Sequence, residues 1–392
     1  MFWPLQENVI FERDINELTN YIRTTKRFTQ FEKVRQFEEN FSAWEGIQFS
    51  VYVNSGSSAN LILINALKEI HGWSADSEII VPSVTWSTNV SPVIQNGMTP
   101  VFVDVNLEDL SFNYEKIAEV INKNTVAIFV THLMGFPANM DLLQAIARKY
   151  NLIILEDCCE AQGATYKNIK VGNFGVAGTF SFYWGHHMTT VEGGIISTNN
   201  ERLYEMLLLK RSHGLARELP KEKHQHYAEQ YPHIDFNFLF LTDGFNVRNT
   251  EFNATIGISQ LKAIDSFIDI RRKNYDRFIQ ILKKYPEHFI PIKQPGMSPL
   301  CLPFLMNNLK EKQQLQQYLR DNGIETRPII SGNLLLQPFL HKYYNKSEFQ
   351  NSDFVHTNGF YIGNNQFVNE ERMNILSQHI DNFSEDYGVH RG

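Results

Sequence analysis

The chain has few cysteines. Its 392 residues include Cys158, Cys159 and Cys301 and no others. Two of them are adjacent and unsuited to pair with each other, and three thiols cannot build a disulfide framework. They also cannot supply the four thiolates of an intrachain iron–sulfur cluster. Long apolar runs are missing as well, and none approaches the roughly 18 residues of a membrane-spanning helix. The opening stretch MFWPLQENVIFERD lacks the basic start and apolar middle of a secretory signal, so the cytoplasm is the expected compartment. There is no excess of basic residues: 36 Lys and Arg face 43 Asp and Glu, a net charge of −7. This argues against a nucleic-acid binder, which carries a basic stripe, but leaves room for a local basic pocket that takes a phosphorylated ligand. Internal repeats and low-complexity linkers are absent. Finally, no lysine lies between Lys170 and Lys210.

What is present is an alternation of short apolar runs and amphipathic stretches. EIIVPS (Glu78–Ser83), TPVFVDV (Thr99–Val105), TVAIFVTHL (Thr125–Leu133) and NLIILED (Asn151–Asp157) have the length and β-branched content of strands. TFSFYW (Thr179–Trp184) and GGIIST (Gly193–Thr198) look similar. Between them lie helical patterns such as MDLLQAIARKY (Met140–Tyr150). Continuous apolar strands alternating with helices imply a mostly parallel sheet covered on both faces. Ligands of such sheets sit at the carboxyl ends of the strands, where Thr85, His132 and Asp157 fall. After about residue 265 the texture changes: one long helical stretch, SQLKAIDSFIDIRRKNYDRFIQILKKY, leads into a smaller α/β unit. The expected division is an N-terminal segment, 1–25, packing with the small domain, a large domain over 26–265 and a small C-terminal domain over 266–392. The aromatic-rich stretch Glu229–Asn246 reads as irregular.

Several strand ends carry chemistry. In NSGSSANL, Gly56 permits a tight turn, Ser57 and Ser58 can cap the following helix, and free amides at a helix start bind phosphate. Asp157 closes a buried strand, where a carboxylate can accept from a protonated pyridine nitrogen and keep that ring an electron sink. Trp86, in TWSTN, offers a flat face on which a ring can stack. Each signal also has a plain reading alone: a helix cap, a turn-capping Asp, a core or surface Trp. Ser181 opens SFYWGHHMTTVEGG, and five residues on stands His186.

In their order these motifs resemble the DegT/DnrJ/EryC1/StrS family of sugar aminotransferases. The likeness runs through SGSSAN, EDCCEAQGA, FSFY, TTVEGG, RSHG and FNVRNTE. It implies an α/β fold of the pyridoxal phosphate (PLP) fold type I, the aspartate-aminotransferase architecture. The usual segment of the family is F-S-F-x-x-x-K, with the cofactor lysine five residues after the serine; here that place holds His186. Histidine at this place marks the branch of nucleotide-sugar 3-dehydratases, in particular those acting on GDP-4-keto-6-deoxymannose. The resemblance implies that Gly56, Ser57, Ser58 and Ser181 hold the cofactor phosphate, Trp86 stacks on the ring and Asp157 pairs with its nitrogen. Glu160, where many aminotransferases of the family have Gln, would lie near the ring hydroxyl. Asn246 would reach the cofactor of a neighbouring subunit, making a homodimer with shared sites. His213 and Arg248 are candidate substrate contacts, L-glutamate is the implied amino donor, and no metal is expected.

Histidine cannot form a stable Schiff base with the cofactor aldehyde, so PLP, or its amine form pyridoxamine phosphate (PMP), would be held noncovalently. It can still move protons, with an ordinary pKa of about 6.5. Three readings compete with a dehydratase built on His186: an aminotransferase using another lysine, a PLP-binding regulatory protein without catalysis, and a dehydratase whose base is His187. Adjacent side chains on an extended segment face opposite ways, so the register from Ser181 favours His186.

Overall fold

A computed structural model of the chain describes residues 2–389. Its central sheet has seven strands: β1 (Phe49–Val53), β2 (Glu78–Pro82), β3 (Thr99–Val103), β4 (Thr125–Thr131), β5 (Ile153–Asp157), β6 (Ala177–Ser181) and β7 (Gly194–Thr198). They run side by side in the order β1-β7-β6-β5-β4-β2-β3. The pairs β2/β3, β2/β4, β4/β5 and β5/β6 are parallel, and β7 is antiparallel to both of its neighbours. The run Thr179–Trp184 differs from expectation. Its strand begins at Ala177 and stops at Ser181, and the chain then turns to place residues 183–188 over the end of the sheet.

Alternate residues of the strands feed opposite faces, as the period of two requires. Ile79, Val81 and Phe129 pack with Ile62, Leu63 and Ala66 of the helix Gly56–His71. Ile80, Ile128 and Ile154 pack with Met140, Leu143 and Ala147 of the helix Met140–Tyr150. Burying each large aliphatic side chain contributes about 1.5–3 kcal/mol, which fixes the register of the strand ends. The helix Met140–Tyr150 spans the predicted residues. The Asn139 side chain accepts from the Leu142 amide at its start, and Asn151 closes it in the left-handed region, φ 54°.

A second sheet of three antiparallel strands orders Cys301–Leu305, Gly359–Gly363 and Thr326–Arg327. Leu302, Phe304, Phe360 and Ile362 share a core with Tyr275, Phe278 and Leu282 of the helix Ile264–Leu282. The expected single long helix is two: Glu251–Leu261 ends, Ala263 leaves the helical region at φ −121° and ψ 0°, and a second helix runs over Ile264–Leu282. The break lets Ile264 and Ile268 enter the core that holds Phe180 and Phe182. The N-terminal segment divides its contacts. Trp3 is buried in the core of the small sheet and donates to the Gly363 carbonyl at 3.1 Å, whereas Asp14 of the helix Glu12–Thr24 accepts from Ser259 and Gln260 of the helix Glu251–Leu261. Among the described residues no helix is long and apolar enough to cross a membrane.

Candidate active site

A cavity of about 380 Å³ opens at the carboxyl ends of β4, β5 and β6. Of the expected site residues, Gly56, Ser57, Trp86, Asp157, Glu160, Ser181 and His186 line it together. These come from four separate stretches of chain, brought together by the strand order.

The phosphate-type corner follows from the start of the helix Gly56–His71. Ser55 is the N-cap, in extended backbone, and its Oγ accepts from the Ser58 amide at 3.1 Å. Ser58 is thus the capped residue and lies outside the cavity lining, while Ser55 takes a place there that the sequence reading did not give it. Amides in a first helical turn have no intrahelical acceptor and favour an anion. Ser181 closes this corner because Gly56 has no side chain: a Cβ at 56 would stand 2.6 Å from the Ser181 Cβ and 3.0 Å from the Cys159 Sγ. Gly56→Ala is therefore expected to cost about 1–3 kcal/mol through overpacking and to loosen cofactor retention. Gly185→Ala, where the new Cβ would meet nothing nearer than 3.7 Å, is the matched control. Thermal unfolding with cofactor absorbance after gel filtration checks both, and equal behaviour of the two variants would contradict the close fit.

Asp157 ends β5 and is 4 % exposed. One carboxylate oxygen accepts from Asn60 Nδ2 at 2.9 Å and the other from the Cys159 amide at 3.1 Å. Asn60 is itself fixed, accepting from Thr179 Oγ1 at 2.6 Å and donating to the Thr88 carbonyl at 2.9 Å. The neighbouring Glu156 points to the other face, where it accepts three backbone amides and meets His132 at 3.1 Å. His132, expected at a strand end, is engaged there and does not line the cavity. Trp86 precedes the helix Ser87–Gln95 and is 54 % exposed, so a face of its indole is open to a second ring.

His186 lines the same cavity. Its Nδ1 is buried and has no partner among the described residues. Burial, and then the Arg271 guanidinium, push the imidazole down to about 4, so at neutral pH it is an uncharged base. Arg271 is fully buried. It donates to the carbonyls of His186, Leu300 and Asn364, tying the loop 183–188 to residues that flank the small sheet, and burial lowers it to about 9. His187 faces away, with Nε2 at 2.9 Å from the Ser298 carbonyl and 3.1 Å from its hydroxyl. Glu160 accepts from the Met134 amide at 2.7 Å. Burial raises it to about 7 against the pull of that amide, and the charge of Asp157 adds to the rise.

The remaining expectations fall elsewhere within this chain. Asn246 and His213 are exposed and lie on adjoining stretches, with the His213 amide donating to the Phe245 carbonyl at 2.7 Å. Neither lines the cavity, and Arg248, paired with Val53, lines a different one. Sequence reasoning missed Asn60, Thr131, Glu192 and Tyr361. Asn60 carried a signal, since it stands one helical turn after Gly56; Tyr361 comes from the small sheet and carried none.

The arrangement fits a phosphorylated aromatic ring bearing a protonatable nitrogen. Helix-start amides and hydroxyls suit the phosphate, an open indole face suits the ring, a fixed carboxylate suits the nitrogen, and the uncharged His186 imidazole lines the cavity as a group able to take a proton. No lysine is among the described residues that line the cavity. A 37 % identical relative, matching 90 % of this chain over 93 % of its own, is GDP-4-keto-6-deoxy-D-mannose 3-dehydratase of Escherichia coli O55:H7. A solved E. coli GDP-4-keto-6-deoxy-D-mannose-3-dehydratase with bound hydrated PLP is similar at TM-score 0.88 and 33 % identity, over 96 % of this chain and 99 % of that one. A further structure of such an enzyme, with a trapped PLP-glutamate geminal diamine, matches at TM-score 0.88 and 33 % identity over 96 % of this chain and all of its own, 100 %. Over residues 9–378 the sequence matches the family pattern, and the chain belongs to the DegT/DnrJ/EryC1/StrS aminotransferase family.

Proposed function

We propose that this chain is a PLP/PMP-dependent 3-dehydratase of a nucleotide-linked 4-keto-6-deoxy sugar, GDP-4-keto-6-deoxymannose, with L-glutamate as amino donor. The observation that carries this reading is His186 in the wall of the cavity, with no lysine among the described residues that line it. The cofactor, bound in its amine form, would supply an electron sink next to the keto carbon of the sugar.

The chain does the rest. Gly56, Ser57 and Ser181 hold the phosphate, and Ser58 supports them by fixing Ser55. Trp86 covers one face of the ring. Asp157, held in place by Asn60 and the Cys159 amide, accepts from the ring nitrogen and keeps it protonated. Neutral His186 moves the proton at C4′. Glu160 stands near the ring hydroxyl. With no lysine to anchor the cofactor, the amine does not stay on the sugar. The balance closes: the sugar loses one oxygen, and glutamate becomes 2-oxoglutarate and ammonia. An assay across GDP-, CDP-, UDP- and dTDP-linked 4-keto-6-deoxy sugars tests this, with fastest 2-oxoglutarate release expected for the GDP sugar. Release at the same rate without any sugar would count against it.

Because Glu160 changes charge near pH 7, the carboxylate form grows as pH rises through that value. Glu160→Gln is expected to remove the corresponding limb from the pH profile of kcat/KM. An unaltered limb would assign that titration to another group.

We also infer a homodimer with shared sites. Asn246 is exposed and lies outside the cavity of its own chain, as a residue serving a second copy must. Mixing inactive Asn246→Ala with inactive His186→Asn subunits should restore activity, since one site of each hybrid carries neither change. No recovery despite demonstrated subunit exchange would sink the shared site.

A further inference from the structure

The oxygen at C3 of the sugar has to leave as water, because hydroxide is a poor leaving group. A proton donor placed at such an oxygen contributes about 10²–10⁴-fold. The residues assigned above do not include this donor. His186 is uncharged at neutral pH and enters as a base. Thr131 Oγ1 is engaged with Thr85 Oγ1 at 2.8 Å. Glu160 changes charge near pH 7, so at neutral pH it carries a proton only part of the time.

The small domain brings Leu300, Ile330 and Tyr361 to the active-site cavity, and of these only Tyr361 has a polar side chain. It stands on the strand Gly359–Gly363, the middle strand of its sheet, opposite Pro303 on one side and Arg327 on the other. Phe360 and Ile362 are fully buried in the core of the small domain, and the alternation of a strand puts Tyr361 on the other face. A strand paired on both sides holds a side chain more precisely than a loop does. The ring is half-buried, and its hydroxyl makes no hydrogen bond to any described residue, although a tyrosine hydroxyl in such surroundings ordinarily finds a partner. Burial, then negative charge at Cys301 and Glu160, raises the phenol above its ordinary value, so it keeps its proton throughout the neutral range. The other phenol of the cavity, Tyr183, is 52 % exposed and lies edge-on to His186, with 6.2 Å between ring centres; there water competes with it as a donor.

We propose that Tyr361 is a catalytic residue of the dehydration, giving its phenol proton to the C3 oxygen as that oxygen departs. The C3–oxygen bond breaks, the oxygen keeps the electron pair and takes the phenol proton, and water leaves. The proton that His186 has taken from C4′ then returns to the phenolate, and the electron pair left behind at C4′ makes up for the pair lost with oxygen, so protons and charge balance. The role at C3 rests on the function proposed above.

The test uses the cofactor-loaded full chain and Tyr361→Phe, which removes one oxygen, keeps the ring and breaks no hydrogen bond of the fold. With GDP-4-keto-6-deoxymannose and L-glutamate, kcat is expected to fall about 10²–10⁴-fold with little change in KM. Amination of the cofactor by glutamate without sugar, followed by absorbance, should keep its rate. With the 3-deoxy-3-fluoro sugar, whose fluoride departs without a proton, most of the loss should disappear. A readout without turnover comes from calorimetric titration of the PLP form with GDP-mannose and its 3-deoxy counterpart. The wild type should bind the 3-hydroxyl ligand more tightly by about 3- to 10-fold, the ordinary worth of a neutral hydrogen bond, and Tyr361→Phe should bind the two alike. Full turnover in Tyr361→Phe would overturn the proposal and leave His186 to pass its own proton to the oxygen. So would an equal loss on the fluoro and hydroxyl sugars, the mark of a displaced structure, and so would a leaving-group-dependent loss in Tyr183→Phe but not in Tyr361→Phe. A wild type that distinguishes the 3-hydroxyl through Tyr361 yet turns over no sugar would refute the proposed function and leave the contact standing.

Discussion

Replacing His186 with asparagine is expected to lower turnover by about 10²–10⁴-fold, the ordinary cost of losing a general base. The protein should still bind PMP, because the phosphate corner, Trp86 and Asp157 are untouched. Asparagine offers a similar polar shape but cannot carry a proton. The unpartnered Nδ1 of His186 means that its removal breaks no hydrogen bond of the fold, so stability should change little. The reverse test is His186→Lys. A lysine there should attach the cofactor to the chain, trapped by borohydride, and dehydration should fall because the anchored cofactor no longer cycles freely. Wild-type protein should show bound cofactor that borohydride cannot attach. If His186→Asn keeps full turnover, proton transfer belongs to another group, and His187, bonded to Ser298, would be the next to test.

The second large effect is at Asp157. Asp157→Asn is close in shape and should fold, but it loses the charge that keeps the ring nitrogen protonated. A hydrogen bond to a charged group is worth about 1.5–3 kcal/mol, so cofactor affinity should fall by about 10- to 100-fold and most activity with it, even at saturating PLP. Asn60→Ala is a softer version of the same change: it removes the 2.9 Å support to Asp157 while leaving the carboxylate. Cofactor titration monitored by absorbance ranks the three proteins. Wild-type activity in Asp157→Asn would remove this residue from the mechanism.

How much of this could be read in advance depended on whether the signal was local. The parallel strands carry it in their β-branched runs, and Met140–Tyr150 carries it in a capping Asn, apolar spacing and a closing Asn. Asp157 and His186 were legible because a strand end and a count of five from Ser181 place them. The break at Ala263 was not, since neither Gly nor Pro marks it; the burial of Ile264 and Ile268 decides it. Arg271 reads as one more charge in IDIRRKNYDR, yet it stands four residues from Phe267 and from Tyr275, on the buried stripe of its helix. Tyr361 reaches the cavity only because the small sheet packs there.

With histidine in place of lysine, this enzyme is expected to remove oxygen from C3 and leave no nitrogen at C4. The direct measurement is the composition of the products from GDP-4-keto-6-deoxymannose and L-glutamate with the cofactor-loaded wild type. The expected products are 2-oxoglutarate and ammonia in equal amounts, with a sugar product lighter by one oxygen atom by mass spectrometry. A sugar product carrying an amine at C4, formed with 2-oxoglutarate but without free ammonia, would contradict it.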